Sequence, residues 1–405
     1  MPIPHHKATF LSGRAHVSFV HLDMMRGLAA LFVFAGHLRS FVFQPYVELA
    51  KPGPLDTVVW ALTGFGHEAV VIFFVLSGFF ITRSIVLDDQ LGRFSWPVYG
   101  IKRLSRLWIV LIPCLILTFI WDSLGISLSG KPFYDGQLYA MYNSGPHLVT
   151  GGVDLSLSAF VKNVFFLQTI IAPTFGSNYP LWSLANEFWY YLMFPLLYLS
   201  VTQRPRSLLA GAINLGLFVA VCLFVGEGIV LGGIIWLAGA VAYLVYSRGF
   251  LAAKLGTSFS LILSSFALLI ALAASRMHYH IGFIQDCLIG LATATLVLAL
   301  SRRETKNKSY RAVARSVADA SYTIYLAHFP FLALLAGIVL RNQQLPNSAL
   351  GYAMFSALGA ATLVYCYAVY WMFERNTAEF RRYSLSKFGL APGVAVRGLS
   401  SYRRQ

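Results

Sequence analysis

A few ionisable side chains interrupt long apolar stretches of this chain, and their spacing suggests chemistry. Arg26 and His37 are eleven residues apart. On a helix that is close to three full turns, so the two share a face about 16 Å apart along the axis. A neutral imidazole is a competent base or nucleophile near pH 7, and a guanidinium set below it can hold an anion. Glu187 lies in a second apolar stretch, where a carboxylate could orient and charge that imidazole. Asp286 and His328 are further candidates inside apolar segments, with a structural hydrogen-bonding role as the equal alternative. Arg103 and Arg106, three apart in Tyr99-Gly100-Ile101-Lys102-Arg103-Leu104-Ser105-Arg106, point the same way on a helix. Two such guanidiniums suit a phosphate or pyrophosphate, and equally suit anionic lipid heads or a topology signal. Arg26 alone also fits a snorkelling anchor.

The elements that must position these groups follow from composition. The 405 residues are 57% hydrophobic and 12% charged, about half the charge usual for a soluble domain. A soluble enzyme, a disordered protein and a fibrous repeat are thereby excluded. The four cysteines (Cys114, Cys222, Cys287, Cys366) show no paired spacing, so no disulfide framework and no zinc site are expected. The net charge of +15 would suggest nucleic acid in a soluble protein, but not in this class. The expectation is an all-α, polytopic integral membrane protein with about ten transmembrane helices, at 24–43, 68–86, 107–126, 180–200, 208–225, 230–247, 258–275, 282–300, 321–341 and 349–373. The runs are too long and too continuously apolar for barrel strands. No signal peptide, internal repeat or soluble appendage is evident.

Lysine and arginine orient the chain. With ten spans, 25 fall on the side of the two termini and 6 on the other, so both termini are expected to be cytoplasmic. Residues 1–375 then form one transmembrane domain and 376–405 a basic cytoplasmic tail. The loop 127–179 is expected outside the cell, and its half-apolar stretch from Leu155 to Ile171 favours an ordered, interfacial lid. On this topology Glu187 is about 10 Å below the outer surface, level with His37, so the two are expected to pair.

These residues resemble the membrane acyltransferase-3 family, the integral-membrane acyl- and acetyltransferases of bacterial surface glycans. Arg26 through His37 is similar to its opening Arg–ten residues–His motif, and Phe73-Phe74-Val75-Leu76-Ser77-Gly78-Phe79-Phe80-Ile81-Thr82 to its second signature. Tyr99 to Pro113 resembles the Arg-x-x-Arg region. Leu181-Trp182-Ser183-Leu184 with Glu187, Tyr191 and Pro195 resembles the Trp-Ser-Leu-x-x-Glu helix. The run from Ser321 to Pro330, with His328, resembles the late Ser-Tyr-x-Ile-Tyr-Leu-x-His motif. One departure is Glu374-Arg375-Asn376, where the family often has Glu-Arg-Pro.

The resemblance implies O-acyl transfer, in the first instance O-acetyl, in the bacterial cytoplasmic membrane. The co-substrate would be a cytosolic acyl-CoA such as acetyl-CoA, with no permanently bound cofactor and no metal. The acceptor would be a hydroxyl of a cell-surface carbohydrate or glycolipid. Arg26, Arg103 and Arg106 would contact the CoA phosphates, His37 would deprotonate the acceptor or carry the acyl group, and Glu187 would orient His37. Ser77, Trp182 and Tyr191 are candidate donors to the oxyanion, and Ser321 is a further candidate from the late motif. The alternative is a proton-coupled transporter using His37, Glu187 and Asp286 as a relay; the absence of repeats and the clustered arginines count against it.

Overall fold

The computed structural model describes residues 19–49, 51–130, 133–138, 152–202, 207–249, 257–276 and 282–390. The described residues are helical and contain no strand, only isolated bridges. The helices run in order: α1 Val20–Val42, α2 Pro54–Leu62, α3 Gly66–Gln90, α4 Trp96–Ser129, α5 Leu157–Val164, α6 Leu181–Thr202, α7 Leu208–Val225. They continue with α8 Glu227–Ser247, α9 Ser258–Arg276, α10 Phe283–Leu300, α11 Lys308–Asp319, α12 Ser321–Ile338, α13 Ala349–Met372 and α14 Thr377–Lys387. Among the described residues nine segments are long and apolar enough to cross a membrane. They coincide with nine of the ten expected spans. The tenth, 180–200, forms α6 but is too polar to count by composition, because Asn186, Glu187 and five tryptophan and tyrosine rings interrupt it.

The bundle is organised around α12, which packs against α1, α4 and α13. Its spanning stretch is 78% buried, whereas those of α7 and α9 are 11% and 17% buried, leaving these two on the lipid side. A second layer, α3 with α8 and α10, joins the first through α1. The crossing of α3 and α8 depends on two glycines. A Cβ on Gly78 would strike the Trp236 carbonyl, and one on Gly239 would strike the Val75 carbonyl. Small residues let membrane helices approach this closely, and dispersion and backbone contacts then replace a hydrophobic drive that lipid does not supply.

Two prolines inside helices set up contacts between elements. Pro195 in α6 and Pro330 in α12 have no N–H, so the carbonyls four residues earlier, Tyr191 and Leu326, lose their intrahelical donors. Both are recaptured from elsewhere in the chain. Tyr99 Oη donates to the Tyr191 carbonyl at 2.8 Å, and Asn178 Nδ2 donates to the Leu326 carbonyl at 2.9 Å.

The second of these bonds shows what the long loop does. Its residues 139–151, with Lys131 and Pro132, lie outside the described residues, as do 1–18 and 391–405 of the expected termini and tail. Helix α4 runs on to Ser129, and α5 keeps Leu157, Val161 and Phe165 exposed along one face. The return, however, is inserted into the bundle. Asn163, Gln168, Ser177 and Asn178 are fully buried. Ser177 donates its N–H (2.6 Å) and hydroxyl (2.7 Å) to Asp122 of α4, and Gln168 donates to the Leu181 carbonyl. Helix α6 therefore starts inside the protein rather than at its surface. In the segment expected to be a tail, α14 packs against α4 and buries Leu385.

Candidate active site

Five helices converge on a cavity of about 70 Å³ near the basic end of the bundle, the end that carries the Arg103–Arg106 run. Arg26 comes from α1, Phe73 and Phe74 from α3, Arg106 from α4, Ser183, Glu187 and Tyr191 from α6, and Ser321, Tyr322 and Tyr325 from α12. Each of the five resembling segments contributes to this one wall. Arg26 pairs with Asp23 at 3.3 Å, yet its Nε is buried with no hydrogen-bond acceptor. Arg106 lies over the Tyr322 ring at 6.0 Å. Glu374, buried beyond Met372, is fixed by Thr323 through its N–H (3.0 Å) and hydroxyl (2.6 Å), and acts electrostatically on both arginines. An unsatisfied buried guanidinium N–H is costly unless an anion answers it.

Glu187 is held inside this wall. Ser77 donates to its Oε1 at 3.1 Å, Tyr191 donates to the same oxygen, and Trp236 Nε1 donates to the Ser77 hydroxyl at 3.1 Å. Ser77 and Tyr191 thus spend their protons on a carboxylate, which corrects their expected role as free oxyanion donors. Ser321 donates to the Ala318 carbonyl at 2.6 Å and lines the cavity as a first-turn residue of α12.

His37 lies farther along the same face of α1, and α12 brings His328 against it. His37 Nδ1 is 2.8 Å from His328 Nε2, the rings are nearly parallel at 13°, and His328 Nδ1 is 2.7 Å from the Ile324 carbonyl. Phe34 and Phe329 present edges to the pair. A carbonyl only accepts, so His328 Nδ1 must carry a proton. With both rings neutral, His328 Nε2 is then an acceptor, His37 Nδ1 donates to it, and the proton-free basic nitrogen of His37 is Nε2. One backbone carbonyl fixes both tautomers.

The expected pairing of His37 with Glu187 is therefore not formed: His37 bonds His328 instead. The error was in depth. Tyr325 meets Ser183 at 2.5 Å and the Pro180 carbonyl at 3.3 Å. Glu187 is a turn beyond Ser183 toward the basic end, and His328 almost a turn beyond Tyr325 the other way. By helical rise they are roughly 10 Å apart. Because α6 begins deep in the bundle, counting from the outer surface placed its carboxylate too high.

The remaining candidates divide. Arg103 donates to Ser84 at 2.8 Å and lies over Tyr99 at 5.3 Å, beside the cavity rather than in its wall. Asp286 bonds His67 at 2.8 Å in a different cavity, which Trp182 also lines. Neither joins the histidine pair. Sequence reasoning missed Glu374 as a partner of the arginines, and Arg381 of α14, whose charge acts on Arg103 and Arg106. It also missed the Asp122–Ser177 and Tyr325–Ser183 bonds. Asp122 was open to detection, since it is a carboxylate inside an apolar span. Among the described residues no group of three or more histidines, cysteines or carboxylates could hold a metal ion.

Residues 19–371 match the protein family described as "Acyltransferase domain". The chain is 32% identical over 186 residues to the acyltransferase MdmB of Streptomyces mycarofaciens, covering 45% of this chain and 40% of that one. It is 30% identical over 97 residues to an O-acetyl transferase of Shigella phage Sf6, covering 24% of this chain and 25% of that one. The matched regions thus span less than half of either relative. No solved structure matches the chain. With the family match extending over most of the chain and the five helices that carry the resembling segments meeting at one cavity, the chain belongs to the membrane acyltransferase-3 family.

Proposed function

We propose that the protein is a membrane O-acyltransferase that moves an acyl group, in the first instance acetyl, from an acyl-CoA to a hydroxyl of a carbohydrate or glycolipid in the bacterial cytoplasmic membrane. The observation that carries this reading is the tautomer-fixed His37–His328 pair, set on the same face of α1 as Arg26 and about 16 Å from it. Arg26 and Arg106 hold the phosphates of the donor at the basic end, which the lysine and arginine distribution assigns to the cytoplasm. The long pantetheine arm carries the thioester along the bundle to the histidines.

There His37 Nε2 takes the proton of the acceptor hydroxyl as the oxygen attacks the thioester carbonyl. The new C–O bond forms, the C–S bond breaks, and the departing thiolate takes the proton back from His37. His328 accepts from His37 Nδ1 throughout and disperses the charge that His37 acquires, the part played by the orienting group in a base–orienter pair. The names of the two relatives, one an acyltransferase and the other an O-acetyl transferase, support the reaction class. The test is calorimetric binding of acetyl-CoA to the detergent-purified protein, with wild type beside Arg26→Ala/Arg106→Ala. Binding by wild type and its loss in the variant are expected; a wild type that binds no acyl-CoA of any chain length would sink the donor assignment.

A further inference from the structure

A second cavity, of about 450 Å³, lies toward the opposite end of the bundle between α3, α6, α8 and α10. Its position follows from its lining. His67 is in the first turn of α3, Asp286 is in the first turn of α10, and Glu227 starts α8 immediately after the Gly226 turn. These termini all lie away from the Arg103–Arg106 run. The charge of the lining is opposite to that of the arginine cavity. Among the described residues its lining holds two carboxylates, Asp286 and Glu227, and no lysine or arginine; His67 is the basic side chain among them, bonded to Asp286 at 2.8 Å.

The polar groups that face this space are incompletely used. Asn186 is 5% exposed, and its Oδ1 has no hydrogen-bond partner among the described residues. The hydroxyl of Thr169, contributed by the long loop, is likewise buried without one. A buried amide oxygen in a cavity wall with no donor is an unmet acceptor, costly unless a small adjustment of the side chain lets a ligand or water donate to it. Beside it stand the Trp182 indole and the apolar faces of Phe74, Ile229 and Ile235. A few convergent polar atoms among aromatic and aliphatic surface are the usual composition of a small-molecule site, and the acidic character selects against phosphates.

We infer that this cavity binds the acyl acceptor, a neutral molecule presenting hydroxyl groups beside an apolar face, as a sugar ring does. The inference rests on the acyl-transfer reading. Asn186 accepts a hydroxyl proton, Trp182 packs against the ring, and Val70 and Phe74, which line both cavities, form the partition between acceptor and donor space. Asn186 and Glu187 are adjacent in sequence but serve the two sides, so α6 divides a cationic site for an anionic donor from an acidic site for a neutral acceptor.

The test uses the full chain in membranes of the producing cell, with [14C]acetyl-CoA as donor and alkali-labile label in the envelope glycan as readout. Asn186→Leu keeps the branched shape and removes the polar atoms; Leu231→Trp fills the cavity. In both, label is expected to fall tenfold or more while calorimetric acetyl-CoA binding equals that of wild type. Wild-type labelling in both variants would overturn the inference. Wild-type labelling in Asn186→Leu with loss in Leu231→Trp would also overturn it, assigning the cavity to an apolar chain. A wild type that neither binds acetyl-CoA nor transfers label would remove the acyl-transfer reading, and this assignment with it.

Discussion

The two cavities share walls from α3 and α6 and differ in sign. Near the basic end Arg26 and Arg106 enclose a small space with Glu187 and three tyrosines. At the other end Asp286, Glu227 and Asn186 border a larger one. Helix α6 serves both, with Ser183 and Glu187 on one face and Trp182 and Asn186 on the other. One membrane bundle can thus carry two cavities of different charge, as the proposed donor and acceptor require. Ionisable groups are expensive in the bilayer, so each is used once, on one face, and is covered by a neighbour such as Asp23, Thr323 or His67. The histidine pair belongs to neither lining, and in the proposed reaction it contributes chemistry rather than recognition.

That division makes the variants separable. The largest effect is expected at the pair. His37→Ala should lower acetyl transfer by about 10²–10⁴-fold, the range for loss of a general base, with acetyl-CoA binding retained in calorimetry. His328→Ala should fall somewhat less, by roughly 10²-fold. His328→Gln should recover part of the loss, since its amide oxygen can accept from His37 Nδ1; equal rates for the two His328 variants would reduce His328 to packing.

The donor cavity comes next. Arg26→Ala/Arg106→Ala should raise KM for acetyl-CoA about 10- to 100-fold, as expected for lost charge-assisted bonds, with a smaller change in kcat. An effect on acceptor KM alone would reverse the roles given to the two ends. Glu187→Gln should change the rate less, about tenfold, because the amide still accepts from Ser77 and Tyr191. It should leave the neutral limb of the pH–rate profile in place, since the group bonded to His37 is His328. A flattened limb in this variant would restore Glu187 as the partner of His37. The smallest effect on chemistry is at the α3–α8 crossing: Gly239→Ala should lower the thermal midpoint in detergent through overpacking while leaving KM for acetyl-CoA unchanged.

Much of the architecture was legible because the bilayer imposes it. Apolar runs of about 20 residues had to be helices, and all ten expected spans fall on helices. The motif residues Arg26, Arg106, Ser321 and Glu187 do share one cavity wall. What the sequence hid was depth. Residues 152–179 fall in the expected outer loop because they lie between two apolar spans, but Ser177, Asn178 and Gln168 bond inside the protein to Asp122, Thr118 and carbonyls of α6 and α12. That insertion displaced Glu187 from His37 and left His328 as the partner. A local signal existed. Pro330 frees the Leu326 carbonyl, which calls for a donor from another segment, and Asn178 supplies it. The pairing of Asp286 with His67 had no such signal, since the two are 219 residues apart and lie in different helices.

The central claim is that donor binding and proton transfer are performed by different ends of one helix face, Arg26 and His37. The direct measurement is calorimetric acetyl-CoA affinity together with single-turnover transfer, for Arg26→Ala/Arg106→Ala and His37→Ala side by side. The expected result is loss of affinity in the arginine variant, and wild-type affinity without transfer in the histidine variant. Wild-type affinity in the arginine variant, or full transfer in the histidine variant, would contradict the account.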